Sequence, residues 1–170
     1  MNKYLTHLPI SEIIREDLIT EFYKNQHRAK VFTASNEFET RSVPNYKVIR
    51  NEDMEDCHLA NDIASNISLL IRTEVKPRYY VQEAESNLNP HRDVGATVAI
   101  NVILKGTGPV CFDNTYEMSY SCAILDVSQL HSVRTEDTRI LFRMTMNDIS
   151  YEEVLSRING HKHEVLKIWK

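Results

Sequence analysis

Near the start of the chain, apolar side chains fall at Ile14, Leu18 and Phe22, one every four positions, with polar residues between them. That period places them on one helical face, and Ser11, following Pro9-Ile10, is a good N-cap, so the pattern predicts an amphipathic helix over Glu12–Lys24. The polar stretch Asn25–Lys30 ends it. Two extended segments follow, Val31–Ala34 and Thr40–Ile49; Pro44 interrupts the second, which predicts an irregular or edge strand. Asn51, with Glu52 and Asp53 in the first turn behind it, reads as the cap of a second helix reaching about Thr73, the longest of the chain. Its stripe of Leu59, Ile63, Ile67, Leu70 and Ile71 is patterned to pack on a sheet.

From Pro77 onward the period changes. Arg78–Gln82, Thr97–Leu104, Val110–Phe112, Ser121–Val127 and Thr138–Met146 are short β-branched or apolar runs separated by polar or glycine-containing turns, with no helical pattern between them. Strands in succession without crossover helices indicate an antiparallel barrel or jelly roll. The expected class is therefore α+β and mainly β, a double-stranded β-helix core buttressed by N-terminal helices. The chain divides as one domain over residues 1–170, with residues 1–75 as helical and strand support and 77–147 as the core. Ser150–Ile158 has the pattern of a short closing helix, and the tail ending Ile168-Trp169-Lys170 carries no decisive pattern.

Composition narrows the picture modestly. A chain of 170 residues, 42% hydrophobic and 26% charged, is long enough to bury a core without disulfides or structural metal. A formal net charge of -4 supplies no general basic field for a nucleic-acid backbone, leaving room only for a local groove. No segment reaches membrane-spanning length and Met1-Asn2-Lys3-Tyr4 does not open a signal peptide, so the expectation is a cytoplasmic protein with no membrane partner. The three cysteines, Cys57, Cys111 and Cys122, show no paired spacing and read as reduced, mostly buried thiols.

The chemistry centres on Asn89-Pro90-His91-Arg92-Asp93. Residues two apart on an extended chain point the same way, so His91 and Asp93 can converge on one ion while Arg92 faces elsewhere; Pro90 biases Asn89 toward that extended geometry. A protein-kinase reading of the His-Arg-Asp triplet fails, because Val98 stands where the catalytic-loop Asn would be and there is no Asp-Phe-Gly. Downstream, Thr138–Met146 alternates Ile140, Phe142, Met144 and Met146 on one face with Arg139, Leu141, Arg143 and Thr145 on the other. A hairpin turning about Thr135 would set His131 nearly opposite Arg139, both facing one cavity. Arg139 and Arg143 on a concave face call for an anion; on a convex face they would simply be solvated. Two imidazoles and one carboxylate suit a ferrous oxygenase site, whereas zinc on the same ligands would support hydrolysis. Fe(II) with Asp93 and a chelating dicarboxylate carries net negative charge, which a cation such as Arg139 at the far end of the ligand would offset.

Residues 77–147 resemble the core of the Fe(II)/2-oxoglutarate-dependent oxygenases. The resemblance is carried by Tyr79-Tyr80 ahead of Pro90-His91-Arg92-Asp93, the strand Ala99–Leu104, Gly106-Thr107-Gly108, Leu130-His131-Ser132-Val133 and Arg139-Ile140-Leu141-Phe142. The His-Arg-Asp and Arg-Ile-Leu-Phe forms are similar to the branch with aspartyl/asparaginyl β-hydroxylases and free-proline hydroxylases. It implies His91, Asp93 and His131 as iron ligands and Arg139 as partner of the distal carboxylate of 2-oxoglutarate, with Arg143 a second candidate for the co-substrate or for an anionic substrate because the segment between His131 and Arg139 is short. It also implies O2 as a reactant, decarboxylation of the oxo acid to succinate, and hydroxylation of a C–H bond on a small molecule or an amino-acid side chain. Asn101, Tyr80 and Gln82 are further candidates for the pocket, each equally suited to a structural hydrogen bond. Two other readings stand beside this one: a cupin-like metalloenzyme, an isomerase or hydrolase using the three ligands without an oxo acid, and a catalytically silent binding barrel. His7, His27, His58, His161 and His163 lie near chain ends or on helix surfaces and read as solvated.

Overall fold

The computed structural model describes residues 3–35 and 40–170, with backbone alone at 34–35, 40–44 and 116. In chain order the elements are β1 (Leu5–His7), α1 (Glu12–Asn25), β2 (Lys30–Ser35), β3 (Thr40–Ile49), α2 (His58–Ile71), β4 (Lys76–Gln82), β5 (Ser86–His91) and β6 (Val98–Lys105). They continue with β7 (Val110–Phe112), β8 (Tyr116–Met118), β9 (Cys122–Asp126), β10 (His131–Thr135), β11 (Arg139–Met146), α3 (Tyr151–Gly160) and α4 (Lys162–Ile168). Seven strands form one antiparallel sheet in the order β1-β9-β6-β11-β4-β3-β2, and four form a second in the order β5-β10-β7-β8. Successive core strands change sheets, β4 to β5, β6 to β7, β8 to β9 and β10 to β11, which is jelly-roll topology.

The two faces of the large sheet are both apolar for different reasons. Its outer face carries Val98, Ile100, Val102, Ile140, Phe142, Met144 and Tyr79, which meet Leu18, Phe22, Ile63, Ile67 and Ile71 of the helices. Burying each such side chain contributes roughly 1.5–3 kcal/mol, so this layer is the main stabilising core. Its inner face turns Ala99, Ala123 and Leu125 toward Val110, Phe112 and Val133 of the small sheet at one end, and Tyr46, Val48, Tyr80, Ile103 and Leu141 toward one another at the other. β11 is consequently buried on both faces, and its alternation sorts outer core from barrel interior instead of core from solvent.

Several elements depart from the pattern of the sequence. Asn51 opens only a short 3-10 turn ending at Asp53, and α2 begins after Cys57. The cap comes from elsewhere in the chain: the Glu21 carboxylate of α1 accepts the Leu59 and Ala60 N–H groups at 2.7 and 3.1 Å and the Tyr79 hydroxyl at 2.8 Å. At 14 residues each, α1 and α2 are equally long. β3 is interior, paired on both sides, yet irregular beside Pro44: its pairing with β2 jumps from Lys47 to Val43. The weakly patterned tail forms α4 and buries Trp169, 1% exposed. Three short strands, β1, β5 and β8, were not foreseen.

The largest correction concerns β10 and β11, which do not form a hairpin. β10 pairs with β5 and β7 in the small sheet, β11 with β4 and β6 in the large one, so residues 136–138 cross between sheets. His131 is opposite His91 and Phe112, and Arg139 is opposite Gln82. No helix among the described residues is long and apolar enough to cross a membrane.

Candidate metal centre

Cross-strand pairing of β5 and β10 sets His91 directly against His131, with ring centroids 4.4 Å apart. Asp93 follows two residues beyond, held in place by its backbone N–H, which donates to the Val127 carbonyl at 3.1 Å. One carboxylate oxygen, Oδ1, then lies 3.4 Å from Nε2 of His91 and 3.5 Å from Nε2 of His131. His131 is buried at 4% side-chain exposure and His91 is 38% exposed, so the group is open on one side only.

The donor set fits a metal ion. Ligands bonded at right angles to an ion at about 2.1 Å stand about 3 Å apart, close to the observed spacing. Nδ1 of His91 lies 2.7 Å from the Asn89 carbonyl, and Nδ1 of His131 lies 2.9 Å from the Gln129 carbonyl. A carbonyl can only accept, so each Nδ1 carries its proton and donates, leaving the Nε2 lone pairs of the neutral rings aimed at the carboxylate. Three lone pairs converging on one point repel unless a cation lies among them. Without an ion a proton takes that part: the hydrogen bond to Asp93 raises the His91 pKa above its ordinary value, against the opposing effect of burial. Burial alone would raise the Asp93 carboxyl, yet Arg143 and the two imidazoles outweigh it and hold the group well below the usual carboxylate range.

The remaining sequence candidates all line the barrel interior, in two sets. Arg143 ion-pairs with the second Asp93 oxygen and lies 6.0 Å from the centre of the Tyr80 ring. Burial works against its charge, and Asp93 more than restores it, so its pKa is raised. Arg139, 2% exposed, sits four residues along the same strand and donates to the Tyr120 hydroxyl at 2.6 Å and to Gln82 Oε1 at 3.5 Å. Asn101 donates to the same Tyr120 hydroxyl at 2.9 Å. Nε of Arg139, Nε of Arg143 and Oδ1 of Asn101 are buried with no partner among the described residues, which is unusual for interior polar atoms.

Tyr120 was missed by the sequence reading. It lies in the turn before β9, outside any alternating run, and only the fold brings its hydroxyl onto Arg139 and Asn101. Gly108 supports the same set: a Cβ there would stand 2.7 Å from Cδ of Arg139. Gly106, at φ +73, has room for no side chain because a Cβ would lie 2.4 Å from the Thr138 carbonyl oxygen.

Among solved structures, the non-haem α-ketoglutarate-dependent epimerase SnoN from nogalamycin biosynthesis aligns with a TM-score of 0.57 at 12% identity, over 85% of this chain and 77% of that one. AviO1 from Streptomyces viridochromogenes Tue57 aligns at 0.49 and 16% identity, over 85% and 90%. A cupin superfamily protein from Desulfitobacterium hafniense DCB-2 aligns at 0.37 and 13%, over 44% and 68%. No family model matches the sequence, and no curated protein matches it. The likeness to SnoN is one of fold, and with the strand order it defines the class: a cupin-like, double-stranded β-helix jelly roll. Within that fold His91, Asp93 and His131 form a group able to hold a metal ion.

Proposed function

We propose that this protein is an Fe(II)- and 2-oxoglutarate-dependent dioxygenase that oxidises a C–H bond of a small molecule or an amino-acid side chain. The observation that carries the reading is the sharing of one barrel interior by the His91–Asp93–His131 group and two guanidinium groups with unpartnered Nε atoms. His91, Asp93 and His131 would hold the ion. Bound together, Fe(II) and 2-oxoglutarate supply the oxidising chemistry, coupling reduction of O2 to decarboxylation of the oxo acid and insertion of oxygen into substrate.

The chain's own residues bind, orient and exclude water. Asn89 and Gln129 carbonyls fix the two imidazoles with Nε2 bare, and Arg143 fixes the carboxylate plane by holding its outer oxygen. Arg139, with the Tyr120 hydroxyl and the Asn101 amide beside it, forms the donor set for the distal carboxylate of the co-substrate. Tyr46, Tyr80 and Leu141 line the walls between and keep the interior dry.

SnoN, whose name describes an α-ketoglutarate-dependent epimerase, supports the choice of co-substrate and provides the second reading, an epimerisation in which one hydrogen atom leaves a C–H bond and another returns to its opposite face, with an added reductant supplying the two electrons that O2 does not take from the oxo acid. Product mass separates them, since hydroxylation adds an oxygen atom and epimerisation adds none. The decisive assay is succinate formation from 2-oxoglutarate with Fe(II) and O2, run beside anaerobic Mn(II) titration. We expect turnover to fall at least 100-fold and metal affinity at least tenfold in His91→Ala and Asp93→Ala. Undiminished turnover in both variants would overturn the proposal. Metal binding without any 2-oxoglutarate binding would leave the cupin-like isomerase or hydrolase reading, and no metal binding would leave the silent barrel.

A further inference from the structure

A third guanidinium faces this interior and has no task in the proposed dioxygenase. Arg78 on β4 stands directly opposite Arg143 on β11 in the ladder, and it shares the inner face with Tyr80, to whose hydroxyl its Nη1 donates at 3.4 Å. Like charges facing each other across a ladder are destabilising. Among the described residues no carboxylate is hydrogen-bonded or ion-paired to Arg78, its Nε is buried without a partner, and Asp93 is already held by Arg143. Tyr80 supplies only a neutral oxygen at the long limit of hydrogen bonding.

Position distinguishes Arg78 from Arg139. The ladder sets Arg139 against Gln82, four residues away from the Arg143–Arg78 pair and about 13 Å along the strand. Arg78 is therefore at the metal end of the barrel and Arg139 at the far end. Arg139 is sealed at 2% exposure, whereas Arg78 is only half-buried, so part of its side chain reaches solvent. Charge points the same way. Among the described residues three guanidinium groups face one carboxylate; a divalent ion adds two positive charges and a dicarboxylate co-substrate removes two, which leaves a formal excess of two. An interior of that charge favours a second anion and disfavours a neutral or cationic substrate.

We propose that Arg78 binds a carboxylate of the molecule being oxidised, holding it at the metal end of the barrel opposite Arg143, so that the substrate class is a small organic acid. The assignment of Arg139 to the co-substrate and Arg78 to the substrate rests on the dioxygenase reading. The existence of a carboxylate site at Arg78 does not.

Both parts are tested on Mn(II)-loaded protein under nitrogen, by calorimetric titration of 2-oxoglutarate and then of butyrate, benzoate and phenylacetate, each beside its primary amide, with and without saturating 2-oxoglutarate. We expect the acids to bind at least tenfold more tightly than the amides in the presence of 2-oxoglutarate. Arg78→Gln should bring that ratio within twofold while changing 2-oxoglutarate affinity less than threefold, and Arg78→Lys should keep most of the preference. Circular dichroism and thermal melting confirm that each variant is folded. Equal binding of acids and amides, no binding of either, or an unchanged ratio in Arg78→Gln overturns the proposal, whatever 2-oxoglutarate does. Failure of 2-oxoglutarate to bind beside an Arg78-dependent preference for acids would instead refute the dioxygenase reading and leave the Arg78 site standing.

Discussion

Gly108 shows how closely the interior is fitted at the level of single atoms. Its missing side chain leaves the space in which Cδ and Nε of Arg139 lie, and a Cβ would approach those atoms to 2.7 and 3.0 Å. Gly108→Ala should therefore push the guanidinium off the Tyr120 hydroxyl without touching the metal ligands. The expected outcome is a roughly tenfold weaker 2-oxoglutarate affinity, about 1.4 kcal/mol, with Mn(II) affinity unchanged. Calorimetry on the metal-loaded variant checks it, and an unchanged affinity would remove Arg139 from the co-substrate site. The histidines illustrate the same precision: each ring is set by one carbonyl two residues before it, Asn89 and Gln129, a spacing that stands out only once the fold has brought the two rings together.

Among the elements, α2 depends on a residue outside itself. Its N-cap position is Cys57, whose side chain makes no capping bond, and the free N–H groups of Leu59 and Ala60 are satisfied by Glu21 from α1. The same carboxylate accepts from Tyr79 on β4, so one side chain ties two helices to the large sheet. Glu21→Ala should destabilise the fold by about 1–3 kcal/mol, and Glu21→Gln, which still accepts hydrogen bonds, by less. Urea denaturation measures both, and equal stabilities would show that the tie carries no weight. Sequence periodicity found α1 nearly to the residue because its cap, Ser11, is local. It misplaced the start of α2 because that cap is 38 residues away in sequence from the first N–H it serves, Leu59 being fixed by a residue on another helix.

β5 escaped the pattern for a related reason. Ser86-Asn87-Leu88-Asn89-Pro90-His91 is polar at all but two positions, and its strand geometry comes from pairing with β10, where His91 and His131 meet. Among the strands that were legible, β4, β6, β9 and β11 belong to the large sheet, whose burial on both faces demands apolar residues, and β7 of the small sheet was legible because Val110-Cys111-Phe112 is apolar too. The small sheet is thinner and carries the site, so its residues answer to chemistry as much as to burial.

Across the whole molecule, burial governs the thiols. Burial pushes the Cys57 thiol up to about 11 and the Cys122 thiol up to about 12, and it raises the Tyr79 hydroxyl as well. In the unfolded chain such thiols ionise at about 8.5, so above that pH the unfolded state holds fewer protons than the folded one. The stability these groups contribute is complete below about pH 8.5 and is lost progressively as pH rises toward 11–12. Urea midpoints measured from pH 7 to 10.5 should fall over the upper part of that range, and Cys122→Ala should flatten the decline. At pH 8 only the half-buried Cys111 should react readily with a thiol reagent, giving one equivalent per native chain and three on unfolding.

The sequence by itself determined most of the longer strands, the first helix, the convergence of His91 and Asp93 from one extended segment, and the placing of Arg139 and Arg143 on one face of a strand, while leaving open whether that face turns inward. These follow from local rules: helical and strand periods, caps within reach, and two side chains two residues apart on an extended segment. Only the tertiary structure decided which residues face one another. It separated β10 from β11, set His131 against His91 instead of Arg139, gave Arg143 to Asp93 and Arg139 to Tyr120, and left Arg78 without a carboxylate partner among the described residues. A jelly roll passes each strand to the opposite sheet, so residues a turn apart in sequence part company while residues 40 apart, His91 and His131, become neighbours.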